Sequence, residues 1–309
     1  MEQIDSLDHI VLRNPDRMVL ATTYKEVMQG VKKNKLVALI GVEGGHMIEN
    51  DMNKLEQLYE RGMRYMTLTW NNSTEWATSA MDETTILNQP PRGEQPVRKK
   101  GLTDFGKQIV KRMNELGIIV DLSHTGEQTF YDAISATTKP VLLSHSSVWN
   151  ICPVFRNVKD DQIKAVAKNG GVICINFYSG FISKEFAETQ KKLDGWDSTL
   201  LSMMLPGWNN DTIKVKAEIQ KVRDSTLNGV RPTIAQVVDH IDYIVKLVGV
   251  DYVGIGSDFD GVSSLPVGLD DVTTYPKITD ELVRRGYSKT DIKKILGENV
   301  LRVMKANLK

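Results

Sequence analysis

Only two cysteines, Cys152 and Cys174, occur in the 309 residues. That is too few for a disulfide framework, and Cys174 sits inside an apolar run that reads as a strand. A reducing, cytoplasmic compartment is the expectation. Excess charge of either sign is absent too: Lys plus Arg and Asp plus Glu both total 39, for a net charge of zero. This balance gives no footing for a nucleic acid or an anionic membrane surface as partner. No apolar run approaches the roughly 18 residues that a membrane span requires. The opening stretch, MEQIDSLDHIVLRNPDR, is acidic and lacks an apolar signal core. Low-complexity tracts and repeats beyond a strand-helix unit are missing as well. The remaining composition, 41% hydrophobic and 25% charged, is that of an ordinary soluble globular protein.

Two short apolar runs, residues 118–122 and 141–143, are each followed by the same dipeptide, Ser123-His124 and Ser144-His145. Runs of this length, rich in Val and Ile and followed by helical patterns, read as buried parallel strands. Side chains at the carboxyl ends of parallel strands face the crevice where α/β proteins do their chemistry. The two histidines are therefore expected at the same end of neighbouring strands, where two imidazoles can share one metal ion. A single histidine there would as readily be a hydrogen-bonded core residue; the repetition favours the metal.

Four more apolar runs read as strands: 36–45 with Glu43 near its end, 64–70 ending in Trp70, 170–177, and 251–259 with Asp258 near its end. Amphipathic helical patterns fall between them at 50–61, 102–116, 158–168 and 233–247, and two terminal helices are expected over 279–306. Residues 1–35 read as polar and helical. The segment 71–101 reads as a long loop, functional or mobile, and 183–231 as a helical insertion serving as a cap or an oligomer contact. Six strands alternating with helices argue for an α/β fold, a (β/α)8 TIM-barrel-like domain spanning 1–309 and two strands short of the full count.

Polar residues cap most of these strands. One carboxylate, Glu43, with His124 and His145, suffices for a catalytic zinc that keeps an open position for water. A carboxylate closing an apolar strand is otherwise costly to bury unless an arginine pairs with it. Asp258 is placed to act as general base or to hold the nucleophilic water. Arg156 follows in the loop above the strand of His145, where a guanidinium can grip a substrate carboxylate bidentately or brace the loop.

These residues lie in GVEGGH at 41–46, RGMRYMTLT at 61–69, GLTDFG at 101–106, VDLSH at 120–124, SHSS at 144–147, RNV at 156–158, NFY at 176–178, GSDFDGV at 256–262 and GENVLRV at 297–303. In these stretches the chain resembles the renal or membrane dipeptidase family of zinc metallopeptidases, in the amidohydrolase superfamily. The likeness runs in the family's order over nearly the whole chain. It implies a metal-dependent hydrolase barrel that cleaves dipeptides, some with a C-terminal D-residue. It also implies that Glu43 bridges two zinc ions and that His124 and His145 complete the second. Arg156 would bind the substrate carboxylate, and Asp258 would face the reacting peptide and its amine. A homodimer is the assembly the resemblance implies.

Two features depart from the family. Its first strand carries a His-x-Asp pair holding the first zinc, and a second strand follows; the sequence after Met1 reads as starting beyond both, in line with six strands. His240-Ile241-Asp242 has that spacing but falls within an amphipathic helix, away from any strand end. The expectation is at most one tight zinc and slower dipeptide hydrolysis than in a chain carrying the two strands. The second departure is Trp70, where the family often has a histidine touching the substrate or the developing oxyanion. An indole donates one hydrogen bond but neither binds metal nor titrates, so Trp70 would wall the substrate pocket instead. The function expected is zinc-dependent dipeptide hydrolysis; the competing readings are a degenerate, weakly active homologue and a hydrolase of another amide or lactam.

Overall fold

Short runs of Val, Ile and Met form the strands, and the amphipathic stretches between them form the helices that cover the sheet. The computed structural model describes residues 2–85, 99–208 and 211–309. In chain order its elements are α1 (Glu2–Arg13), β1 (Met18–Leu20), α2 (Tyr24–Lys32), β2 (Leu36–Ala38), β3 (Ile40–Val42), α3 (Met52–Glu60), β4 (Met63–Thr67), α4 (Ala80–Thr84) and α5 (Asp104–Leu116). Then come β5 (Ile119–Asp121), α6 (Glu127–Ala136), β6 (Leu142–Ser146), α7 (Asp160–Asn169), β7 (Val172–Asn176), α8 (Ser179–Ile182), α9 (Lys184–Met204) and α10 (Thr212–Asn228). The chain closes with α11 (Ile234–Val248), β8 (Val253–Ser257), α12 (Pro276–Arg284), α13 (Lys289–Lys293) and α14 (Asn299–Asn307).

Strands β3 to β8 form one parallel sheet in sequence order. Each parallel neighbour needs a crossover, and the intervening helices supply it. The sheet curls into a half-barrel, the partial TIM-barrel-like fold that six strand-helix units imply. Among the described residues its edge strands, β3 and β8, do not pair with each other. A cavity of about 740 Å³ runs along β3, lined by Ile4, Leu7, Ile40, Val42 and Leu58, with Glu43 at its end. The core between sheet and helices is fully buried at Ile109 and Met113 of α5, Ile173 and Ile175 of β7, and Val237, Ile241 and Ile244 of α11. Parallel pairing puts all carboxyl ends on one side, which carries Glu43, Trp70, His124, His145 and Asp258.

Local chemistry sets the helix limits. Thr103 caps α5 by accepting the Gly106 N–H, and Gly117 ends it in the left-handed region at φ 89°. Thr23 and Glu26 form a reciprocal capping box on α2. No helix among the described residues is long and apolar enough to cross a membrane. Cys152 and Cys174 are both free and buried.

Four readings need correction. Residues 1–35 are not all helical: Met18–Leu20 is a strand, paired in register with Leu36–Ala38 in a separate two-stranded sheet. The run 36–45 is accordingly two strands, β2 facing β1 and β3 facing β4, with Leu39 at the break. A three-residue strand shows no readable period, which is why β1 escapes a pattern search. The terminal region holds three α-helices rather than two, α13 and α14 being joined by a π-helical turn at Lys294–Glu298 that passes through a non-helical Gly297. Within 71–101, residues 79–85 cap and form the short α4, while the paired prolines at 90 and 91 lie outside the described residues. Asn209 and Asn210 also lie outside them.

Candidate metal centre and substrate cavities

Glu43 follows β3 directly. Gly44, at φ 103°, turns the chain away and donates its N–H to Thr67 Oγ1 at 2.5 Å. Gly45 packs so tightly that an added Cβ would lie 2.3 Å from the Trp76 ring. His124 comes after β5 with φ 67°, and its carbonyl accepts from Ala80 N at 2.8 Å and Thr69 Oγ1 at 3.1 Å. Ser257 and Asp258, at the end of β8, also have positive φ, 40° and 76°. Non-glycine residues in this region are strained by about 1–2 kcal/mol, and such strain persists where the surroundings over-determine it, often at working sites.

The three expected ligands converge. His124 Nε2 lies 2.9 Å from Glu43 Oε1 and 2.9 Å from His145 Nε2, and His145 Nε2 lies 3.1 Å from Glu43 Oε1. Both imidazoles are buried, while the Glu43 side chain is half-exposed. The outer nitrogens are anchored: His124 Nδ1 lies 3.1 Å from Asn71 Oδ1, and His145 Nδ1 lies 2.7 Å from Ser144 Oγ. Burial, and next the charge of Arg156, push His124 down to about 3, so its ring is neutral near pH 7. Hydrogen bonding to His124, and next to His145, holds the Glu43 carboxyl far below the usual carboxylate range, so it is ionised.

One carboxylate oxygen and two imidazole nitrogens thus lie within hydrogen-bond distance of one another, a cluster that a single cation can bridge. A tetrahedral site with bonds of about 2.0–2.1 Å spaces its ligand atoms about 3.3 Å apart. Spacings of 2.9–3.1 Å are close to that before any ion enters. The residues therefore fit a metal, and Glu43, His124 and His145 are a group of His and carboxylate donors able to hold one.

Arg156 and Asp258 flank the cluster. Arg156 shares a cavity of about 360 Å³ with His124, walled by Leu122, Phe130, Trp149 and Phe155. Arg156 is 5% exposed, and among the described residues no carboxylate lies within ion-pair distance. Its one hydrogen bond runs from Nη2 to the His145 carbonyl at 3.3 Å, and Nε has no partner. Burial pushes this group down to about 10, against the longer-range pull of Asp121, Glu43 and Asp258. Asp258 lines a second cavity, of about 480 Å³, with Glu43 and His145. Burial raises its pKa, and Asn176 Nδ2 donates to its Oδ2 at 2.9 Å. Trp70 is 47% exposed, with its ring 6.3 Å from that of His124.

The spaced pair His240-x-Asp242 is no part of this centre. His240 is fully buried in α11, accepting from Val148 N at Nδ1 and facing the Ile182 carbonyl with Nε2, both at 3.0 Å. Asn71 and Asn176, which orient His124 and Asp258, are not singled out by the sequence reading. Asn176 ends β7 and opens the NFY stretch at 176–178, which is the signal available for it, while Asn71 lies in the loop after β4 with none.

The membrane dipeptidase family model, peptidase family M19, matches residues 1–309. The probable dipeptidase PvdM from Pseudomonas aeruginosa superimposes with a TM-score of 0.78 at 25% identity, covering 99% of this chain and 78% of that one. An amidohydrolase from Pseudomonas aeruginosa gives 0.75 at 21% identity over 99% and 84% of the two chains. A metallopeptidase from Rhodobacter sphaeroides, solved with a phosphinate mimic of the dipeptide L-Ala-D-Ala, gives 0.73 at 23% identity over 97% and 73%.

Proposed function

The chain belongs to the membrane dipeptidase family, peptidase family M19, and is a metallo-dipeptidase; we propose that it holds one zinc ion on Glu43, His124 and His145 and cleaves dipeptides, including those with a C-terminal D-residue. Two imidazoles and one carboxylate are a donor set suited to a catalytic zinc with an open position. The C-terminal D-residue is supported by the ligand of the Rhodobacter sphaeroides structure, a mimic of L-Ala-D-Ala.

The observation that carries the dipeptide reading is Arg156. A guanidinium taken out of water without a counter-ion is costly unless a ligand supplies one. A free α-carboxylate matches its fork bidentately, and a substrate gripped there lies beside His124 and next to the cluster. A short peptide has its scissile carbonyl within reach of both. When bound, zinc polarises that carbonyl and makes water a nucleophile near pH 7. Asp258, with Oδ2 held by Asn176, takes the proton of the attacking water and returns it to the leaving amine. Its burial-raised pKa brings it nearer to the range in which a carboxylate can both accept and give a proton. Trp70, exposed beside His124, forms a wall over the site.

The test is to strip the protein with chelator and titrate zinc back while following hydrolysis of L-Ala-D-Ala and L-Ala-L-Ala. Activity that returns in full at one zinc per chain is expected. Zinc binding without cleavage of any dipeptide would overturn the activity, and a need for two ions would overturn the single-zinc site. Gel filtration of the same samples reads out the homodimer that the resemblance implies.

A further inference from the structure

Asp121 closes β5 and is wholly buried. Its Oδ1 accepts two backbone hydrogen bonds, from Ser123 N at 3.0 Å and, across the sheet, from Ser144 N at 3.1 Å. Each of these serines immediately precedes one of the two histidines of the cluster. The register between β5 and β6 rests on a single pair, Asp121 with Leu142. The carboxylate therefore takes over where the strand ladder runs out, just before the chain enters the left-handed turn at His124. Ser123 Oγ continues the tie by accepting the His145 N–H at 3.0 Å. The other carboxylate oxygen, Oδ2, is buried without a hydrogen-bond partner. An orphan oxygen on a buried acid is a cost that packing alone does not explain.

We propose that Asp121, on the wall of the cavity that Glu43, His145 and Asp258 line, is a positioning residue: it ties the Ser123-His124 and Ser144-His145 steps to each other and so fixes the spacing of the two histidines. This inference rests on the zinc reading of the site. Groups that orient metal ligands from behind typically change metal affinity by about 10–100-fold when removed.

The readout is zinc affinity by chelator competition, measured beside the thermal stability of the zinc-free protein. In Asp121→Asn the amide oxygen still accepts both N–H groups, so zinc affinity should stay within about threefold of the parent, well inside the range for a lost orienting group. Asp121→Ala removes both bonds and should weaken zinc binding about 10–100-fold. If Asp121→Ala does not fold, Ser123→Ala, which leaves both Asp121 bonds in place and cuts the ties of Ser123 Oγ to the His145 N–H and to Ser144 Oγ, should still weaken zinc by about tenfold. Parent-like zinc affinity in folded Asp121→Ala, or in Ser123→Ala, would overturn the inference, as would an Asn variant as weak as a folded Ala variant. A parent protein that binds no zinc would instead overturn the zinc reading itself, so the two failures are distinct.

Discussion

A charged group that is 5% exposed and unpaired, as Arg156 is, destabilises its own fold until a ligand pairs with it. The Arg156→Met variant is therefore expected to melt no lower than the parent while its KM for dipeptides rises at least about 30-fold, the low end of what losing one partner of a buried charge pair costs. Thermal unfolding and steady-state kinetics on the same preparation check both halves. His240 makes the opposite case, a buried imidazole that the fold keeps neutral. Burial pushes it down to about 4, so between pH 6.5 and 4 the unfolded chain takes up a proton that the folded chain refuses. Stability should thus fall with falling pH, by about 2 kcal/mol at pH 5 from this residue. Urea unfolding at pH 7 and pH 5 should show that part of the loss disappearing in His240→Gln. Both residues stand out in the sequence: the helical pattern around His240 already sets it apart from a strand-end ligand, but nothing in the spacing of Arg156 tells the unpaired guanidinium from a surface arginine.

At the level of elements, boundaries are decided by side-chain chemistry that the sequence displays. Thr103 before α5 and Gly117 after it are readable, and the structure uses both. Gly117 does more than stop the helix, because a Cβ there would meet the Asn307 carbonyl of α14 at 2.8 Å. Gly117→Ala should cost about 2 kcal/mol from the left-handed backbone alone, with further loss from that contact, visible as a lower denaturation midpoint. Zinc affinity should hold, since β5 beyond this joint keeps its register with β4 through Ile119, Val120 and Asp121. Strand β1 was not readable, because three residues carry no period and its pairing with β2 is a tertiary event.

On the scale of the whole molecule, the half-barrel brings Glu43, His124 and His145 together from three strands spread over a hundred residues of chain. Their ligand atoms lie within 4.8 Å of one another only in the folded chain, so an ion held there would couple metal binding to folding. Chelation should lower the melting temperature, and zinc at about a thousand times its dissociation constant should restore about 4 kcal/mol. Calorimetry with and without chelator measures this. A shift that survives replacement of Glu43, His124 and His145 together would place the stabilising ion elsewhere.

The sequence by itself determined the strand-helix alternation and the capping residues at strand ends. Hydrophobic period and residue type are local, and GVEGGH, VDLSH and SHSS are local too. Only the tertiary structure decided that β1 and β2 form a separate sheet and that His240 is fully buried against Val148 N and the Ile182 carbonyl. It also decided that Arg156 is buried without an ion-pair partner and that Asp121 ties two strands together. Each of these depends on which distant groups arrive beside the residue, and burial and hydrogen-bond partnership are properties of that assembled neighbourhood.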